Sequence, residues 1–261
     1  MTGVVEVASD MVAEQEALDG VVARLRHEQW QLPTPAAGWT VADQIGHLTY
    51  FDGAAATAVA DPDEFKRMAA QLASEDTDPD ALTLHRDLDP PALLAAWRHN
   101  RRRLAEIANT LDDDTRIAWY GPSMGSKSFL TARLMECWAH GQDIVDAVGI
   151  ERPATDRLRH VAQLGFITRP WSYINRGLIP PDRDLRLELT SPSGATWRFG
   201  PDEAADVVTG PALDFCLVVT QRRHVEDTQL RIVGEAARDW LVKAQAFAGP
   251  PTEGPPRKGV G

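Results

Sequence analysis

The stretch from Ser128 to Val148 runs without a proline and stops at Gly149. That length makes roughly six helical turns, with serine available as a cap at one end and glycine as a stop at the other. Such a helix must cover its apolar face with partners. The sequence supplies three more of similar length. Ser9 to Trp30 repeats apolar residues at helical spacing through Met11, Val12, Leu18, Val22 and Leu25, with Ser9 or Asp10 as its cap. Thr40-Val41-Ala42-Asp43 has the form of a capping box and opens a second helix to about Ala60. Asp89-Pro90-Pro91 places a cap ahead of proline in the first turn, and opens a third helix through Leu93, Trp97 and Leu104 to about Leu111. A short helix from Pro62 to about Leu72 and a loop over 75–80 lie between them. Four helices with apolar faces fit a bundle. The connection from Asp112 to Lys127 reads as a long loop.

The pattern changes after about Arg152. A helix is expected from Thr155 to Ile167. Leu185, Leu187 and Leu189 then alternate with Arg186, Glu188 and Thr190, which marks a half-buried strand. Ser191-Pro192-Ser193-Gly194 is a turn, with Ala195 to Phe199 as the hairpin partner. An apolar helix over Gly210 to Thr220, a strand over Gln229 to Val233 and a helix over Glu235 to Phe247 complete an expected small antiparallel α+β domain. The tail, 249–261, holds four prolines and four glycines and reads as disordered. The fold class is therefore α+β. Residues 1–152 form a helical bundle, 153–248 a second domain and 249–261 a tail.

The formal charge of −11 disfavours a general phosphate-backbone or anionic-lipid binder and leaves only local basic spots for such contacts. No apolar run reaches the ~20 residues that span a bilayer. Nor is there an opening segment of signal-peptide form. Two cysteines, Cys137 and Cys216, are too few for a disulfide framework and read as buried thiols of a cytoplasmic protein. Arg101-Arg102-Arg103 reads as a solvated helix face, with the binding of an acidic thiol cofactor as the alternative.

Glu136 and His140 are four residues apart, so they share a helix face. His47 lies on another helix, and bundles build metal sites from facing helices. Two imidazoles and a carboxylate leave a coordination position open. The set suits zinc first, and also nickel, iron or manganese. By spacing alone, a solvated Glu with packed histidines accounts for the same residues. Asp143, one turn after His140, is a further candidate ligand or acceptor, and Asp43 serves more naturally as the cap.

The run Gly38-Trp39-Thr40-Val41-Ala42-Asp43-Gln44-Ile45-Gly46-His47-Leu48 resembles the first signature of the mycothiol-dependent maleylpyruvate isomerase family, within the DinB-like metal-binding four-helix superfamily. Glu136-Cys137-Trp138-Ala139-His140-Gly141-Gln142-Asp143 resembles the second. The resemblance implies metal ligation by His47, Glu136 and His140, with mycothiol as co-substrate. The C-terminal half is similar to that family's sterol-carrier-like domain, and Gly210-Pro211-Ala212-Leu213-Asp214-Phe215 looks like its helix start. Relatives place an active-site Arg after a Gly at that helix's end. Here the run is Gln221-Arg222-Arg223, so Arg222 matches best and the glycine is replaced.

Three functions are expected to compete. A thiol-dependent isomerase or S-transferase would act on a small electrophile, with Arg222 holding a carboxylate. A metal hydrolase would need Asp143 as base. A binding module would use the metal only structurally. The expected partners are small molecules, with no nucleic acid and no membrane.

Overall fold

A computed structural model describes residues 3–74 and 85–259. The expected loop over 75–80 lies outside the described residues. The chain divides into two compact units, Met1–Arg152 and Pro153–Gly261.

The first unit is a bundle of α1 (Val4–Val22), α2 (Val41–Ala60), α4 (Pro90–Ala108) and α5 (Ser126–Val148), with the shorter α3 (Pro62–Ser74) beside them. Helix α1 starts before the expected cap. Val4, Val7, Ala8 and Met11 are all buried, so the apolar stripe runs straight through Ser9. It also ends early, and His27–Gln31 is a 3-10 turn that carries the buried Trp30. At α2 the expected box forms. The Thr40 hydroxyl accepts from the Asp43 amide at 3.2 Å, and the Asp43 carboxylate accepts from the Thr40 amide at 2.9 Å. Asp89 caps α4 as expected. Gly149 closes α5 in the left-handed conformation, φ 69°. The start of α5 differs from the expectation: Gly125 is its cap, and Ser128 lies inside the helix.

Leu18, Val22, Ile45, Leu48, Leu93, Trp97, Cys137 and Ile144 meet in the centre of the bundle. Each large side chain so buried contributes about 1.5–3 kcal/mol. A polar network threads this core. Asp52 accepts hydrogen bonds from Gln15 and from the Trp97 indole N–H, at 3.0 and 3.1 Å. The basic run is less solvated than expected, because Arg101 joins Arg98 on the Asp19 carboxylate and lies 5.2 Å over the Trp97 ring.

The connection read as a long loop contains a hairpin, β1 (Arg116–Trp119) with β2 (Gly121–Gly125). Its strands are too short for alternation to show, and a register shift interrupts their pairing. It carries Trp119 onto Phe65 and Phe129, and Tyr120 onto Phe51.

The second unit has α6 (Leu158–Ile167), α7 (Arg169–Ile174), β3 (Leu185–Thr190), β4 (Thr196–Phe199), β5 (Asp206–Pro211), α8 (Ala212–Val219), β6 (Arg231–Val233) and α9 (Glu235–Lys243). The β3–β4 hairpin forms as expected. The sheet, in order β4-β3-β5-β6, is mixed rather than antiparallel, because β3 and β5 run parallel. Strand β5 escapes sequence reading because an aspartate fills an inward position. Asp206 is buried and accepts a hydrogen bond from the Ala237 amide in the first turn of α9, 31 residues away. Where a disordered tail is expected, residues up to 259 make specific contacts. Asn175 donates to the Gly249 carbonyl at 3.0 Å, Arg257 pairs with Glu226 at 2.8 Å, and the Lys258 amide donates to Asp227 at 2.8 Å. No described helix is long and apolar enough to cross a membrane.

Candidate metal centre

Helices α2 and α5 face each other and bring His47, Glu136 and His140 together. One donor atom from each lies within 4.8 Å of the other two. Glu136 Oε2 is 3.1 Å from His140 Nε2 and 3.7 Å from His47 Nε2. Ligands about 2.1 Å from a tetrahedral zinc ion stand about 3.4 Å apart, so the spacing suits one small cation. Among the described residues this is the single His/Cys/Asp/Glu group of that compactness. His140 is buried, and His47 and Glu136 are partly exposed, so one side faces solvent. Burial pushes the Glu136 carboxyl up, but hydrogen bonds to His140 and His47 and the charge of Arg133 outweigh it. The group is held well below the usual carboxylate range and stays an anionic donor.

A chain of hydrogen bonds orients the His140 ring. The Trp39 carbonyl can only accept, so the Thr34 hydroxyl donates to it at 3.0 Å. Thr34 in turn accepts from Gln44 Nε2 at 2.9 Å. That orients Gln44 Oε1 toward His140 Nδ1, 2.5 Å away. Nδ1 therefore donates to Gln44, and Nε2 is the nitrogen turned to Glu136: it donates to the carboxylate in the metal-free protein and would lose that proton on ligating a metal. Sequence reading missed Gln44. The signal was its position three residues before His47, which places it on the neighbouring helical face. Replacing Gln44 with leucine is expected to weaken metal binding about 10–100-fold, while Gln44→Glu keeps the acceptor and most of the affinity. Competition against a chromophoric chelator measures both.

Aromatic rings wall the cluster. Trp39 stacks on His140, centroids 5.7 Å apart and planes 11° apart, and tilts against His47 at 5.3 Å. Phe51 lies 4.5 Å from the His47 ring. A cleft of about 390 Å³ opens over the first turns of α2, lined by Thr40, Ala42, Asp43 and Gly46 with His85 and Arg86. Asp43 serves there as cap and as partner of Arg86 at 2.9 Å. Asp143 is buried and lies outside the three-residue cluster. Arg222 belongs to the second unit, where its guanidinium donates to the Thr220 carbonyl at 2.7 Å.

Five residues after His47, burial pushes the Asp52 carboxyl up to about 6, against the charge of Arg133 and the bonds from Trp97 and Gln15. A folded-state value above the unfolded ~3.9 means that ionising Asp52 opposes folding. The cost is absent below about pH 4, grows as pH rises toward about 6, and is then constant at about 3 kcal/mol. In the metal-free protein, Asp52→Asn is expected to gain stability relative to the parent across that interval and to hold the gain above it. Urea denaturation at about pH 4 and about pH 7.5 measures the difference.

A family model described as "Mycothiol maleylpyruvate isomerase N-terminal domain" matches residues 11–145, just over half the chain. The chain belongs to the mycothiol maleylpyruvate isomerase family. The span that places it in this family includes Gln44, His47, Glu136 and His140, and leaves Arg222 outside. Two uncharacterized proteins of Mycobacterium tuberculosis, from two strains, are each 47% identical over 248 residues, covering 94% of this chain and 96% of theirs. Two crystal structures of a mycothiol-dependent maleylpyruvate isomerase, one of them a mutant, share the fold. Their TM-scores are 0.56 and 0.55 at 20% and 18% identity, over 85% of this chain and 92% of theirs.

Proposed function

We propose that this member of the mycothiol maleylpyruvate isomerase family binds one divalent metal, zinc first, through His47, Glu136 and His140. With it the protein acts as a thiol-dependent isomerase or S-transferase on a small electrophile. The observation that carries the reading is the convergence of three donor atoms within 4.8 Å of one another. Gln44 presents Nε2 of His140, and Glu136 is held ionised. A divalent ion there would lower the pKa of a thiol placed at the open position. The chain's own part is to hold the donors still, with Trp39 and Phe51 packed against the imidazoles. The thiol is of the mycothiol type, and a cytoplasmic location goes with it.

Arg222 is a carboxylate holder in this reading. Gln221 ahead of it replaces the expected glycine, yet it adopts the left-handed conformation that glycine takes most easily, φ 59°. The Arg222 amide donates to the Leu217 carbonyl at 2.7 Å and the Gln221 amide to Val218 at 2.9 Å, which completes a Schellman turn. The Gln221 side chain holds this strained position by donating to the Ala244 and Thr252 carbonyls. The chain path of a Gly-Arg pair is thus kept without the glycine, which favours Arg222 over Arg223. Asp143, the base a hydrolase would need, stands outside the donor cluster.

The test is turnover of small carboxylated alkenes by purified, zinc-loaded protein, with and without mycothiol. Thiol-dependent turnover is expected. Equal rates without thiol, or ester cleavage alone, would overturn the reading.

A further inference from the structure

Arg133 lies on α5, one turn before Glu136, and is 94% buried by its 6% exposure. Its guanidinium lies 5.7 Å from the Phe51 ring centroid and 5.2 Å from that of Trp119. Burying an arginine is costly unless its N–H groups find acceptors. Two other arginines of the bundle pair with carboxylates, Arg101 with Asp19 and Arg152 with Glu14, although Arg101 Nε is itself buried without a partner. Arg133 Nη1 is buried with no hydrogen-bond partner among the described residues. Its positive charge acts on Glu136, Asp52 and Tyr120, yet no carboxylate forms an ion pair with it among those described.

The surroundings tie this arginine to the donor cluster. Phe51 packs against the ligand-bearing His47, and Trp119 and Tyr120 reach the same place from the β1–β2 hairpin. The Tyr50 and Tyr120 hydroxyls meet at 2.9 Å and tie that hairpin to α2. His47, Phe51, Trp119, Tyr120 and Glu136 are each partly exposed, so the patch borders solvent while Arg133 lies behind it. A divalent ion on the three donors would add two positive charges to a region where Glu136 and Asp52 oppose one arginine. The balance then calls for an anion. A planar guanidinium lying against two adjacent rings offers parallel N–H donors that match a carboxylate.

We propose that Arg133 is a specificity-determining residue that receives a carboxylate of the small electrophile beside the His47–Glu136–His140 centre. This rests on the metal-centre reading above and deepens it. The unpaired Nη1 would gain its acceptor from the substrate, and the rings of Phe51 and Trp119 would exclude water from the pair. Neutral analogues of the same shape would leave Nη1 without a partner and bind poorly.

The experiment is calorimetric titration of zinc-loaded protein, without thiol, using maleate and its neutral diamide. Maleate is expected to bind at least tenfold more tightly than the diamide. Arg133→Gln should lose that preference with its zinc content unchanged, and Arg133→Lys should keep part of it. Equal binding of maleate and diamide by the parent protein would overturn the proposal, even if neither variant folds. So would undiminished maleate preference in Arg133→Gln, or absence of maleate binding. Because no thiol is present, the result is separable from the thiol dependence of turnover. Turnover with thiol but no maleate preference would remove Arg133 alone, and maleate preference without thiol-dependent turnover would remove the isomerase reading alone.

Discussion

His140→Ala is expected to leave the protein essentially free of metal and without activity. The imidazole supplies one of three converging donors, and its loss also strands Gln44 Oε1 without the N–H it faces. Losing an outer partner alone weakens such sites about 10–100-fold, and losing a donor must cost more. His47→Ala removes a second imidazole. Glu136→Gln keeps the volume but removes the only anionic donor of the three. Elemental analysis of the parent and the three variants, purified in parallel, decides the matter. Thermal melts taken alongside separate loss of metal from loss of fold. Full metal content in all three variants would remove these residues from the centre.

The second large effect is on stability. Arg152, the last residue of the first unit, donates to Glu14 at 3.1 Å and to the Trp138 carbonyl at 2.9 Å. Its guanidinium also lies 5.6 Å over the Trp138 ring. Both side chains of the pair are nearly buried, at 8% and 4% exposure. Removing one partner of a buried pair leaves the other charge uncompensated and costs about 3–5 kcal/mol. Arg152→Ala is therefore expected to destabilise by that amount in urea. Replacing both residues together, Glu14→Leu with Arg152→Met, should recover most of it, since no charge is then stranded. A single variant as stable as the parent would show that Glu14 reaches water.

How far the sequence could be read follows the range of the interactions. The capping box at Thr40 and Asp43, the cap at Asp89 and the stop at Gly149 are local, and each forms where the residues indicate. The convergence of His47 with Glu136 and His140 was visible through helical spacing and the family resemblance together. What escaped depends on distant partners. Strand β5 carries Asp206 inward because α9 needs an acceptor there, and no pattern within β5 announces that. Gln44 sits one helical turn before His47, but its role shows only once Thr34 and His140 are both beside it. Arg133 reads as one more charged helical residue until Phe51 and Trp119 close over it. The left-handed Gln221 looks like a departure in sequence and preserves the turn in space.

Trp39 has a consequence for how this protein can be studied. Its indole lies against both histidines of the centre, and its carbonyl anchors the hydrogen-bond chain that ends on one of them. Any ion that pulls those imidazoles inward must change the surroundings of a fluorophore. An open-shell ion such as nickel or iron would quench it at that distance, whereas zinc would shift its emission without darkening it. The protein thus carries its own optical gauge of occupancy, one that also tells a closed-shell ion from an open-shell one.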